Sequence, residues 1–205
     1  MDKIYGNMVD LYRVKNSLES YSPVIQSSDN LKIPTVNAAV IVFIYYKQKD
    51  LCVLLNKRSL LVEHHKGEIS FPGGVMDHTD KSILDTALRE AEEEMGIKPA
   101  DVEIVSQLSS VITRTNFLIT PFVGIIPESY PFVINKEEID QILEIPLANM
   151  IKQLEQQIGA NNAITPENSF HYSYGNHIIW GATANILSEL LFAISKTELR
   201  EDIQP

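Results

Sequence analysis

Between Gly67 and Ile97 the chain reads GEISFPGGVMDHTDKSILDTALREAEEEMGI, a Phe-Pro-Gly-Gly turn followed by the acidic run REAEEE. An α-helix has 3.6 residues per turn, so Glu90 and Glu94 stack one turn apart with Glu93 beside them. Like charges at this spacing cost about 0.2–0.5 kcal/mol per pair, and within the stripe no Lys or Arg offsets them. A divalent cation removes the repulsion, and hard Mg2+ or Mn2+ prefers oxygen ligands. Taken alone, REAEEE reads equally as a solvated charged face. The glycine turn just before it shifts the balance towards a site.

The helix carrying these carboxylates is amphipathic. Ile83, Leu84, Ala87, Leu88, Ala91 and Met95 fall on one apolar arc, with Glu90 and Glu94 at its edge and Glu93 just beyond. The carboxylates therefore border the core. Asp80 or Thr79 supplies an N-cap, and Gly96 with Pro99 beyond it supplies a stop, which predicts a helix over about 81–95.

The order of these residues resembles the signature of the Nudix hydrolases, G-x5-E-x7-R-E-U-x-E-E-x-G-U, where U is a bulky aliphatic residue. Gly74, Arg89, Glu90, Glu93, Glu94, Gly96 and Ile97 match it. Asp80 stands in place of the Glu, one extra residue separates it from Arg89, and Ala91 fills an aliphatic position. A motif this long and ordered is far more specific than a lone glycine-rich loop. The resemblance implies a Nudix-type α/β/α sandwich with a mixed sheet, and a metal-dependent pyrophosphohydrolase. It places the metal on Glu90, Glu93 and Glu94 with a backbone carbonyl of Gly73 or Gly74, and makes Arg89 the partner that orients a neighbouring Glu. The general base is either a helix glutamate or one from a distal loop, here Glu138.

Upstream, LLNKRSLLVEHHKGEISFPGG is similar to the extra motif of the coenzyme A pyrophosphatase branch, L-L-T-x-R-[SA]-x3-R-x3-G-x3-F-P-G-G. Leu54, Leu55, Arg58, Ser59, Gly67, Phe71, Pro72, Gly73 and Gly74 fit, Asn56 replaces the Thr, and Glu63 replaces the second Arg. This resemblance implies coenzyme A or an acyl derivative as substrate, with Lys57, Arg58, Ser59, His65 and Gly73 as candidate substrate contacts. His64 and His65 read equally as solvated loop residues, and Arg58 as the partner of a surface carboxylate. The branch also introduces its helix with D-x-x-D-x5-T-A-L-R-E, which appears here from Asp77 to Glu90. Another nucleoside diphosphate derivative, such as ADP-ribose, NADH or a dinucleotide, is the alternative substrate. A non-catalytic nucleotide-sensing module is the alternative class, and the complete REAEEE set argues against it.

With 205 residues and a net charge of -10, the chain suits one domain with a sizeable core and disfavours general binding to nucleic acid or anionic membranes. No apolar run approaches a membrane span and no signal-peptide core opens the sequence, so a cytoplasmic protein is expected. Cys52, the one cysteine, lies in an alternating apolar stretch and reads as a buried structural residue. A small nucleotide is the expected partner, and the resemblance leaves room for a homodimer.

Along the chain, 8–21 reads as a helix and 22–34 as a connector, so 1–35 precedes the main domain at 36–196, with 197–205 as a polar tail. Residues 36–46 and 51–58 form a hairpin through KQKD, and 68–71 a short strand. Strands are expected at 102–109 and 117–126, a short helix at Lys136–Glu144, and a polar loop near the site entrance at 155–168. Gly175-Asn176 marks a hairpin between 171–174 and 177–180, and 182–195 is a helix. Tyr172, Tyr174 and Trp180 either stack on a base or serve the core.

Overall fold

The computed structural model describes residues 10–28, 31, 34–160 and 170–201. Its centre is the strand β1 (Val36–Lys47), which turns back into β2 (Asp50–Arg58) in the expected hairpin. Both strands alternate two apolar faces. Ala39, Ile41, Phe43, Tyr45, Cys52 and Leu54 enter one core, while Val42, Ile44, Leu51, Val53 and Leu55 enter the other. A sheet buried on both faces must be covered on both, and it is.

Two short strands, β3 (Ile69–Ser70) and β4 (Gly73–Val75), lead into the helix α2 (Ile83–Met95), which covers the first face with Ala87, Ala91 and Met95. A 3-10 turn at Pro99–Asp101 follows, then β5 (Glu103–Gln107), β6 (Val111–Ile112) and β7 (Phe117–Ile125). β7 runs parallel to β1, whereas the other strand pairs are antiparallel, so the eight-stranded sheet among the described residues is mixed as expected. The N-terminal helix α1 (Leu11–Glu19), with α3 (Leu147–Ala160) and α4 (Gly181–Glu201), supplies the second face through Val14, Leu18, Met150, Leu154, Leu187 and Leu191. Residues 8 and 9 of the expected first helix lie outside the described residues, and α4 reaches into the stretch expected as a polar tail.

Three local expectations are corrected. Lys136–Glu144 is not a helix: it is a turn followed by the strand β8 (Ile139–Pro146), which pairs antiparallel with β2. Ile139, Leu143 and Ile145 are buried there. Apolar residues at 139, 142 and 143 satisfy helical spacing as well, and the unpaired edge of β2 decides between the two. The polar run expected as a loop from 155 is helical through 160 in α3, and 161–169 lie outside the described residues. The N-cap of α2 is Ser82 rather than Asp80 or Thr79, and its Oγ accepts from the Asp85 N–H at 3.2 Å. Asp80 is taken by another partner, described below.

Other endings follow the local code. Gly96 closes α2 at φ +70, its N–H donating to the Glu92 carbonyl and that of Ile97 to Ala91. Gly175 and Asn176 turn β9 (Tyr172–Tyr174) into β10 (His177–Ile179). Cys52 is buried, and burial pushes its thiol up to about 11, in keeping with a structural role. Among the described residues no helix is long and apolar enough to cross a membrane.

Candidate active site

The glycine turn sets β4 against β1, with Gly73 opposite Val40 and Gly74 opposite Ala39. Each glycine is required for its own reason. A Cβ on Gly73, at φ +149, would run into the Ala39 carbonyl oxygen, whereas one on Gly74 would lie 2.5 Å from the Glu90 carboxylate. Glu90 therefore lies directly over the Gly74 backbone.

The three helix carboxylates are graded in exposure as the apolar arc requires. Glu94 is 1% exposed, the Glu90 side chain is mostly buried, and the Glu93 side chain is 53% exposed. Burial first, then the Glu90 and Glu138 charges, push the Glu94 carboxyl up to about 8, against the pull of Arg58 and the Gly73 N–H. Glu90 is raised by burial and by Glu93 and Glu138, with Arg89 opposing. Glu138, in the turn before β8, thus belongs to the same electrostatic cluster. Asn135 Nδ2 holds its Oε1 at 2.9 Å, and Ser59 N–H donates to its carbonyl at 2.7 Å.

The stripe is not without a cation. Arg89 curls back so that Nη1 donates to Glu90 Oε1 at 2.8 Å and Glu93 Oε2 at 2.9 Å. Its other face is clamped by Asp80, with Nε on Oδ1 at 2.9 Å and Nη2 on Oδ2 at 3.1 Å. Thr86 Oγ1 and the Asp77 N–H also donate to Asp80 Oδ2, each at 2.9 Å. These donors, Arg89 foremost, hold the Asp80 carboxyl well below the usual carboxylate range. Asp80 is thereby consumed in fixing Arg89, which is why Ser82 caps the helix.

Among the described residues no three acidic, imidazole or thiol side chains converge on one point as a finished metal cage. The donor set nonetheless fits a hard divalent cation: the Glu93 charge raises the proton affinity of Glu90, the Glu90 charge raises that of Glu94, and Glu90 and Glu93 already share the positive Arg89 nitrogen. Nη1 holds one oxygen of each, so Glu90 and Glu93 can ligate through their other oxygens, Oε2 and Oε1, with Arg89 in place. Nε and Nη2 stay on Asp80.

The model of the NUDIX domain matches residues 35–181. The chain belongs to the Nudix family. It is 36% identical over 169 residues to a protein of Photorhabdus laumondii described as an uncharacterized Nudix hydrolase NudL, covering 82% of this chain and 88% of the relative. A Salmonella paratyphi B protein of the same description is 36% identical over 148 residues, covering 69% of this chain and 74% of the relative. The fold is shared with a MutT/nudix family protein from Enterococcus faecalis at a TM-score of 0.50 and 14% identity, over 93% of this chain and 76% of that one. The protein is thus a Nudix pyrophosphohydrolase, and hydrolases of this family use divalent metal ions.

Of the residues singled out in the sequence, the Nudix fold gathers Glu90, Glu93, Glu94, Glu138, Arg89, Arg58, Gly73 and Gly74. Arg58 Nη1 lies 3.8 Å from Glu94 Oε1, and its Nε is buried without a hydrogen-bond partner. Lys57 is directed elsewhere. Side chains alternate along a strand, so with Arg58 on the α2 face Lys57 is on the other, where it pairs with Asp140 at 2.7 Å. Ser59 is buried and accepts from the Leu61 N–H at 3.1 Å. His65 is exposed and meets Glu68 at 3.0 Å. Tyr172 is core, with its hydroxyl on Ser188, whereas Trp180 is exposed.

Asn56 and Ser70 were not recognised as site residues from the sequence. Asn56 is fully buried, donates to Glu94 Oε2 at 3.1 Å and accepts from Ser70 Oγ at 2.6 Å. The signal was present: Asn56 shares the strand face of Leu54 and Arg58, and a polar residue within a buried run needs a partner.

Proposed function

We propose that the protein hydrolyses the diphosphate of coenzyme A or an acyl-coenzyme A, releasing 4'-phosphopantetheine, acylated where appropriate, and adenosine 3',5'-bisphosphate. The observation that carries this reading is the position of the branch motif: its Arg58 sits beside Glu94, and its loop 59–66 is pinned at its base on the Arg58 backbone, with Gly67 N–H donating to the Arg58 carbonyl and Arg58 N–H to the Glu68 carbonyl. Leu60 and Leu61 on that loop are exposed, which suits an apolar substrate tail.

In this reading Glu90, Glu93, Glu94 and the Gly74 carbonyl would hold Mg2+ or Mn2+. Bound there, the ion would neutralise phosphate oxygens, stabilise the leaving phosphate and acidify a water ligand. Arg89 keeps Glu90 and Glu93 oriented while remaining anchored on Asp80. Glu138, with one oxygen held by Asn135, takes the proton of the attacking water as its oxygen bonds to phosphorus and the bridging P–O bond breaks. The helix glutamates Glu90 and Glu93 are the alternative acceptors.

The test is product analysis by mass spectrometry after incubation with coenzyme A, 3'-dephospho-coenzyme A, NADH and ADP-ribose, each with Mg2+ or Mn2+. Release of 4'-phosphopantetheine at the highest kcat/KM is expected; preferential cleavage of ADP-ribose or NADH overturns the substrate assignment. Arg58→Ala removes a charge-assisted hydrogen bond of about 1.5–3 kcal/mol, roughly ten- to a hundredfold in kcat/KM. If Arg58 serves the 3'-phosphate, the loss is greater for coenzyme A than for its 3'-dephospho form. Equal losses assign it to the diphosphate or the scaffold.

One observation favours the second reading, another nucleoside diphosphate derivative. Glu63 is exposed on the same loop, where the branch motif has Arg, and places repulsion near an anionic substrate. Glu63→Arg is then expected to lower the KM for coenzyme A with kcat little changed, and the gain should shrink as added salt brings the Debye length below about 10 Å. Unchanged coenzyme A kinetics at low salt would make position 63 irrelevant to substrate choice.

A further inference from the structure

We infer that the buried Asn56 and its partner Ser70 are a positioning pair that divides the two oxygens of Glu94 between tasks, giving Oε2 to the protein and Oε1 to the metal. The inference rests on the reading of Glu94 as a metal ligand and adds how that ligand is presented. β2 and β3 place Asn56 and Ser70 directly opposite each other. Ser70 Oγ donates to Asn56 Oδ1 at 2.6 Å, Asn56 Nδ2 donates to Glu94 Oε2 at 3.1 Å, and the Gly73 N–H donates to the same oxygen at 3.3 Å.

The direction of the relay follows from its chemistry. As a metal ligand Glu94 would be ionised and could only accept, so the carboxamide must then present its nitrogen to it; the reverse orientation would set two acceptors against each other. Ser70 holds Oδ1 and keeps the amide from turning. Two donors occupy the lone pairs of Oε2. Oε1 has no hydrogen bond among the described residues and faces Arg58 Nη1 at 3.8 Å, beyond hydrogen-bond length. A buried carboxylate with one saturated oxygen offers a cation the other, so Glu94 ligates through a single oxygen. Asn is also the right size and charge here. Asp in its place would put a second carboxyl about 3 Å from the first, and the pair would hold a shared proton that opposes the ionised Glu94 a cation needs.

Mn2+ is the probe, with affinity read from the loss of the free-ion electron paramagnetic resonance signal and, independently, from the Mn2+-induced rise in melting temperature. Asn56→Leu, of similar volume but without donor or acceptor, is expected to weaken Mn2+ binding about ten- to a hundredfold, as removal of a partner of a metal ligand does. Ser70→Ala should give a smaller loss of the same sign, and Asn56→Thr, which keeps one hydroxyl donor, should bind more tightly than Asn56→Leu. Wild-type Mn2+ affinity in folded Asn56→Leu overturns the inference. So does a lower metal-free melting temperature with the Mn2+-induced rise intact, or equal losses in Asn56→Leu and Asn56→Thr. Where Asn56→Leu fails to fold, unchanged affinity in Ser70→Ala overturns it. Glu94→Gln separates the two levels: if it keeps full Mn2+ affinity, the ligand assignment itself falls, whereas its loss beside an unaffected Asn56→Leu removes only the positioning role.

Discussion

Glu93→Gln and Glu94→Gln are each expected to lower hydrolysis by at least about a hundredfold at saturating Mg2+ while leaving the protein folded. Losing a ligand outright must cost more than the roughly ten- to hundredfold effect of losing a ligand's partner. Folding should not suffer, for reasons that differ at the two positions. Glu93 is half exposed, and its pairing with Arg89 is a surface contact shared with Glu90. Glu94 is buried next to like charges, and the amide of Glu94→Gln can keep its oxygen on the Asn56 and Gly73 donors while shedding the cost of a buried charge.

The same substitution carries a pH signature. With a carboxyl raised from 4.5 to about 8 on folding, Glu94 contributes stability that is fully present below pH 4.5 and lost as pH rises through about 8. The metal-free protein should therefore melt at falling temperature from pH 5 to 8. Glu94→Gln should flatten this slope, which thermal denaturation by circular dichroism reads directly. Glu90, also raised, leaves a residual slope of the same sign, and Asp80, held low, acts only in acid. Near wild-type turnover in both variants would remove these carboxylates from the metal site.

Alanine at the two glycines of the turn should separate folding from chemistry. In Gly73→Ala the new methyl meets the backbone oxygen of Ala39 in the middle of the sheet, where nothing can swing aside, at a φ that side chains rarely adopt. Large destabilisation, on the order of several kcal/mol, or failure to fold is expected. In Gly74→Ala the atoms nearest the methyl are those of the Glu90 carboxylate, the movable end of a side chain. That protein should fold, lose Mn2+ affinity and lose most of its hydrolysis, because Glu90 can no longer lie over the turn. Denaturant melts beside Mn2+ titrations check both. A Gly74→Ala protein with wild-type activity would show that Glu90 does not work from this position.

Much of this was legible without coordinates, because it depends on residues close in sequence. The helix, its Gly96 stop, the three carboxylates and their graded approach to the core follow from a 3.6-residue period and a few caps. The hairpin of β1 and β2 and the Gly175-Asn176 turn follow from alternation and turn chemistry. These signals are local, so they survive in a single sequence.

What failed was decided by partners distant in the chain. Lys136–Glu144 carries spacing that suits helix or strand, and only the open edge of β2 makes β8 a strand. Asp80 looked like a cap until Arg89, nine residues on, claimed it, whereas the Arg89 contacts to Glu90 and Glu93 are local, the second an i,i+4 pair that the helix period already places together. Lys57 and Arg58 are adjacent in sequence yet stand on opposite faces of a strand, so only one of two candidate cations meets the carboxylates. The sequence by itself determined which oxygens exist and on what scaffold they sit. The tertiary structure decided which charges they face, because hydrogen bonds and ion pairs act over a few ångströms and the chain brings Asn56, Arg58, Ser70 and Glu138 within that range only on folding.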